Sequence, residues 1–67
     1  MTYSNLCNKV DYEVGKLQQG TGFVLRDVVE NPPALLGRYL YEQVSDGAIA
    51  AMHIGTDELG AAKYEKL

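Results

Sequence analysis

Asn31-Pro32-Pro33-Ala34-Leu35-Leu36-Gly37-Arg38-Tyr39-Leu40-Tyr41-Glu42-Gln43-Val44-Ser45-Asp46-Gly47 holds a start signal, an apolar stripe and a stop signal in one run. Asparagine can accept a hydrogen bond from the first free amides of a helix, and proline lacks only an N–H that a first turn leaves unpaired. A helix capped by Asn31 and starting near Pro32 or Pro33 is therefore predicted. At about 100° per residue, Leu36, Leu40 and Val44 share one side with Tyr39 flanking them, while Ala34, Arg38, Tyr41 and Ser45 lie opposite. Gln43 falls inside the apolar arc for no reason visible in the sequence. Gly47, suited to the left-handed backbone that closes a helix, supplies the stop.

Upstream, Tyr3, Leu6, Val10, Val14 and Leu17 recur at spacings of three and four, so Thr2 to Leu17 reads as a helix, with Thr2 or Ser4 as its cap. Gly15 weakens it by about 1 kcal/mol relative to alanine if interior. Gln18-Gln19-Gly20-Thr21-Gly22 makes a turn. Phe23-Val24-Leu25 is β-prone but so short that it must be an edge strand with a distant partner. Leu25 to Glu30 reads as a single helical turn with Asp27 favourably near its start.

Downstream, Ala48 to Ile54 alternates, Ala50, Met52 and Ile54 on one face against Ala51 and His53. Ala62 to Leu67 does likewise, with Ala62, Tyr64 and Lys66 opposite Lys63, Glu65 and Leu67. The loop Gly55-Thr56-Asp57-Glu58-Leu59-Gly60 between them makes a β-hairpin the economical reading. The order helix, short strand, short helix, helix, strand, wing, strand is that of an α+β winged helix-turn-helix. Its expected core is Leu6, Val10, Leu17, Phe23, Leu25, Val28, Leu36, Leu40, Val44, Ile54 and Tyr64.

The chain has 67 residues, read as one domain spanning 1–67. A domain this small buries only about 60% of its unfolded surface, which leaves little for a deep enclosed pocket. A self-contained enzyme is not expected, nor a cofactor. The net charge of −3 includes no basic segment: residues 1–20 sum to 0, 21–47 to −2 and 48–67 to −1. Cys7 is the single cysteine, so an internal disulfide is impossible and an all-protein zinc site lacks ligands. No apolar run approaches the roughly 18 residues of a membrane span, and no secretory signal opens the chain, so a cytoplasmic location is expected. His53 reads as a solvated strand residue, Cys7 as a small apolar one, and Gly20-Thr21-Gly22 lacks the lysine and hydroxyl of a phosphate loop.

In a winged helix-turn-helix the helix carrying Arg38 is the recognition helix. Arg38 offers several donors in one plane, and Tyr41 and Ser45 follow it one and two turns on. Arg38 also has Glu42 at i+4, the spacing of a helical ion pair. Lys63 and Lys66 on the last strand complete a candidate DNA-contact set of Arg38, Tyr41, Lys63 and Lys66. Tyr39, Tyr41 and Tyr64 are eligible to stack on bases, each base worth roughly 1–3 kcal/mol. Against this, Asp57 and Glu58 read as exposed charges at the wing tip, where they repel phosphate. A rival reading is a protein-interaction module or homodimer, prompted by the acidic balance and by Leu35, Tyr41 and Leu59 near the surface.

Gly20-Thr21-Gly22-Phe23-Val24-Leu25-Arg26-Asp27-Val28, Leu36-Gly37-Arg38-Tyr39-Leu40-Tyr41-Glu42-Gln43-Val44 and the closing Tyr64-Glu65-Lys66 resemble a family of small winged-helix proteins of unknown function. That family occurs in Gram-positive bacteria, their phages and chromosomal cassettes, in places beside replication genes. The resemblance runs from Gly20 onward, about two-thirds of the chain. It implies binding of DNA, single strands included, as an accessory to replication or recombination of a mobile element, with Arg38 on the family's arginine and Lys66 on its terminal lysine. Val24 stands where the family pattern has a threonine able to cap the second helix, and the segment before Leu36 is shorter and proline-rich here.

Overall fold

A computed structural model describes residues 2–67. Helix α1 spans Tyr3–Gly15, and Thr2 caps it, its Oγ1 accepting the Asn5 amide at 3.2 Å. The helix stops at Gly15, two residues short of the sequence expectation, and Leu17 packs half-buried against the core from the turn that follows.

Strand β1 (Gly22–Val24) leads directly into the single turn of α2 (Leu25–Val28). Valine has no side-chain acceptor, so Val24 cannot cap α2. Only the reciprocal contact forms, the Val24 amide donating to Asp27 Oδ2 at 3.0 Å.

Helix α3 spans Ala34–Ser45, with Pro33 as the extended residue before it. Asn31 is not its cap: its φ is +47°, in the left-handed region that asparagine tolerates better than most residues. The paired prolines account for the later start. A residue preceding proline is disfavoured in the helical region, so neither Asn31 nor Pro32 can begin the helix. The C-terminal end follows expectation, with Gly47 at φ +80° and the Gln43 carbonyl accepting from both the Ala48 and Ile49 amides, at 2.9 and 3.2 Å. The half-buried Gln43 lies at the edge of a recess bounded by Asp11, Val14 and Lys66, which explains a polar residue within the apolar arc.

Strands β2 (Ala51–Thr56) and β3 (Ala62–Lys66) form the hairpin, and the antiparallel sheet has the order β1-β3-β2. Phe23 pairs with Tyr64, so the short first strand finds its distant partner on β3. Three helices and a three-stranded antiparallel sheet make an α+β fold with the element order of a winged helix-turn-helix.

The face assignment of β2 differs from expectation. Residues 48–50 belong to the turn, and the strand starts at Ala51. Register with β3 sets Ala51 and His53 on the Tyr64 side, while Ile54, expected in the core, is 44% exposed, as is Met52. A one-residue change of phase moves every side chain of a strand to the other face. Ile49, 9% exposed and placed before the strand, takes the interior position instead. A bulge then separates the pairs His53↔Tyr64 and Gly55↔Lys63, with Ile54 as the extra residue and Gly55 at φ +138°.

Val10 and Val14 of α1, Leu36 and Leu40 of α3, and Phe23, Ile49, Ala51 and Tyr64 from the sheet side form the core, with Val29 closing it after α2. Leu6, Leu17, Leu25, Val28 and Val44 pack around it, half-buried. Phe23 and Tyr64 stack with ring centroids 5.6 Å apart. No helix among the described residues is long and apolar enough to cross a membrane.

Candidate nucleic-acid interface

The side of α3 away from Leu36 and Leu40 faces solvent, as its periodicity requires, and presents Ala34, Arg38, Tyr41 and Ser45. Arg38 Nε donates to Glu42 Oε1 at 2.9 Å, the i+4 pair its spacing anticipates. Both side chains are largely exposed, so the pair contributes only about 0.3–0.5 kcal/mol and yields readily to a stronger acceptor.

Tyr41, half exposed, meets the edge of His53 with centroids 5.7 Å apart, and His53 meets Tyr64 in the same manner at 5.7 Å. With Phe23 beneath Tyr64, four rings run from the interior to the surface between α3 and the sheet. His53 is thus exposed, as expected, but it is also an aromatic neighbour of Tyr41, a contact the sequence reading missed. The inverted face assignment of β2 concealed it: with Ala51 and His53 turned toward Tyr64, the contact with Tyr41 follows.

The four candidate DNA-contact residues do not gather on one surface. Arg38 and Tyr41 share the exposed side of α3. Lys63 and Lys66 lie three residues apart on β3 and so project from opposite faces of the strand. Lys63 lies beside Gly22, where an added Cβ would stand 3.5 Å from its Cε. Lys66 borders the recess beside Asp11 and Val14 of α1.

Asp57 is not a free charge at the wing tip. Its Oδ1 accepts the Leu59 and Ala61 amides at 3.0 and 2.9 Å, and Oδ2 is bound by the Arg26 guanidinium of α2. Its amide donates to the Ala61 carbonyl at 2.9 Å, closing the loop on itself. The Arg26 hydrogen bond, followed by the amides of Ala61 and Leu59, holds its carboxyl below the ordinary carboxylate range. Asp57 therefore shapes the wing and ties it to α2, and Glu58 alone is an uncommitted acid at the tip. Arg26, which drew no role from the sequence, is the other half of that tie.

On the far side of α3, the Tyr39 hydroxyl donates to Asp11 of α1 at 3.0 Å. Desolvation, and then the Asp11 carboxylate beside it, push the Tyr39 hydroxyl up to about 12. Cys7 is half-buried against the core, and among the described residues no group of three or more His, Cys, Asp or Glu is placed to hold a metal ion.

Compared with known proteins, the chain matches no family model, and no curated protein or solved structure gives a significant match. The functional reading therefore stands on the chain's own residues.

Proposed function

We propose that this is a non-enzymatic nucleic-acid-binding accessory protein that contacts its ligand through the exposed side of α3, with an unpaired strand preferred to a duplex. The observation that carries this reading is the solvent-facing Arg38 and Tyr41 on one side of α3, with the His53 ring against Tyr41. An arginine fork supplies phosphate or base donors, and an exposed ring supplies a stacking surface. Duplex recognition depends mainly on phosphate neutralisation, which the three candidate cations Arg38, Lys63 and Lys66, divided among several faces, serve poorly. Base stacking does not need a cationic surface of that size. The mobile-element setting implied by the motif resemblance is part of the proposal, and the genes adjoining this one test it.

Titration of labelled single- and double-stranded oligonucleotides at low and moderate salt tests the binding. Tyr41→Ala should weaken single-strand binding about tenfold, and Arg38→Ala should weaken it more than Lys9→Ala, since Lys9 lies on α1 away from this face. Equal effects of Arg38→Ala and Lys9→Ala would reduce the interaction to bulk charge. Absence of binding at low salt, where contacts to few phosphates are strongest, refutes the proposal.

A second reading, a protein-interaction module, is favoured by the exposure of Leu35 and Leu59, the two most exposed large apolar residues among those described. Sedimentation separates a homodimer from a monomer and so tests its self-associating form.

A further inference from the structure

His53 is the single histidine of the chain, and it stands between Tyr41 of α3 and Tyr64 of β3, with both ring centroids 5.7 Å away. These rings fix where the imidazole lies without using its nitrogens. The residue is exposed, and no described residue hydrogen-bonds to either ring nitrogen or brings a carboxylate within ion-pair reach.

The charged groups nearby are committed elsewhere or fixed in charge. Helix α3 and strand β3 are the elements packed most closely against β2. On α3, Arg38 pairs with Glu42, Tyr39 turns to Asp11 on the far side, and Asp46 follows the helix end. On β3, Lys63 and Glu65 project from the face opposite Tyr64. Lys66 shares the face of Tyr64 but stands opposite Ala51, at the recess beside Asp11. Carboxylates, lysine, arginine and tyrosine ordinarily keep one charge between about pH 5 and 8, whereas histidine changes its own.

Arg38 and Tyr41 are three residues apart on α3 and are therefore neighbours on its surface. Tyr41 in turn touches His53. A base stacked on Tyr41 is flanked in its strand by two phosphates, and the two neighbours of Tyr41 able to carry positive charge are Arg38 and His53. We infer that His53, as the imidazolium, is a phosphate-contacting residue of this surface, so that Arg38 and His53 take the phosphates on either side of a base stacked on Tyr41. The inference rests on the nucleic-acid reading and adds to it a dependence on pH. Protonation makes donors of both ring nitrogens, and a hydrogen bond from a cation to a phosphate oxygen is stronger than one from a neutral ring.

The test uses the full chain and a labelled oligothymidylate, whose bases stay uncharged over the range studied. Dissociation constants are measured between about pH 5.5 and 7.5 at constant ionic strength. The unaltered protein should bind about threefold to fivefold tighter at the lower pH, the range of one exposed ion pair. The slope of log affinity against log salt should be steeper there by about 0.7, the value of one added phosphate contact on a single strand. His53→Phe keeps a ring beside Tyr41 and loses the proton, so it should bind at either pH as the unaltered protein does at the higher one. His53→Gln, also without a titrating ring, supplies the same comparison should the first variant fail to fold. By linkage, saturation with the oligonucleotide should raise the midpoint of the His53 ring-proton titration in nuclear magnetic resonance spectra by about 0.5–0.7.

Binding of the unaltered protein that ignores pH overturns the inference and leaves the nucleic-acid reading intact. Retention of the full pH dependence by the variants places the titrating group elsewhere and overturns it as well. A pH dependence with no change in salt slope and no rise in the His53 midpoint refutes the phosphate contact. Absence of binding at every pH removes the nucleic-acid reading, and this inference with it.

Discussion

Ile49 and Ile54 make a matched pair for testing which face of β2 is inside. Replacing isoleucine by alanine removes three carbons, each worth about 0.8 kcal/mol when fully buried. At Ile49, 9% exposed within the core, nearly all of that is lost and a cavity is added, so the expected cost is about 3 kcal/mol. At Ile54, 44% exposed on the outer face, about half the transfer energy is lost and no enclosed cavity forms, so the cost is about 1 kcal/mol. Typical stability of about 0.05–0.15 kcal/mol per residue gives a domain of this length about 3–10 kcal/mol in all. Ile49→Ala therefore removes a large part of it. Urea unfolding followed by circular dichroism, with a slope of about 1 kcal/mol per molar for so small a domain, should place the two midpoints about 2 M apart. An Ile54→Ala variant as unstable as Ile49→Ala, or less stable, would refute the strand phase and with it the placement of His53 beside Tyr41.

Further outcomes follow from the hydrogen bonds, the backbone angles and the space beside Gly37. Asp57→Ala should abolish exchange protection of the Leu59 and Ala61 amides, whereas Arg26→Ala should leave most of it. A carboxyl held below its unfolded value stabilises the loop above that value and loses the effect as pH falls through its folded one, so in the unaltered protein this protection should persist below the ordinary carboxylate range before disappearing. Tyr39 behaves with the opposite sign: its hydroxyl is raised from 10.0 to about 12, so its contribution is whole below pH 10 and is lost between pH 10 and 12. Stability of Tyr39→Phe measured across that interval should lack the decline. Gly37→Ala should raise the unfolding free energy by about 0.5–1 kcal/mol, because the added methyl finds ordinary contact 3.9 Å from Leu25 Cδ2. Gly47→Ala, at φ +80°, should lower it by about 1 kcal/mol.

What could be read from the sequence was what local spacing encodes. The Thr2 cap, the stop at Gly47, the exposed Arg38 and Tyr41 and the buried Leu36 and Leu40 all follow from residues within a turn or two of one another. Phe23 could be assigned a distant partner because three residues cannot make an isolated strand, and β3 was available. Asn31 misled because a good cap residue was weighed without the constraint each proline places on the residue before it. The phase of β2 was lost because Ala50 and Ala51 are identical and the larger Met52 and Ile54 weighted the wrong face. Only the pairing of His53 with Tyr64, a tertiary fact, decides it. Arg26 and Asp57 lie thirty-one positions apart, so nothing periodic announces their contact.

The bulge at Ile54 bears on how the protein survives at high concentration. Strand β2 is an outer strand, and a straight outer strand with apolar side chains is a template onto which another copy can add its own backbone. Here the extra residue and the positive φ of Gly55 break the regular row of amides and carbonyls midway along the strand, where Met52 and Ile54 would otherwise favour such stacking. The irregularity thus acts as a guard against open-ended polymerisation. Removing Ile54 would restore an unbroken edge, so a change that looks like a tidier hairpin would produce a chain inclined to form fibres.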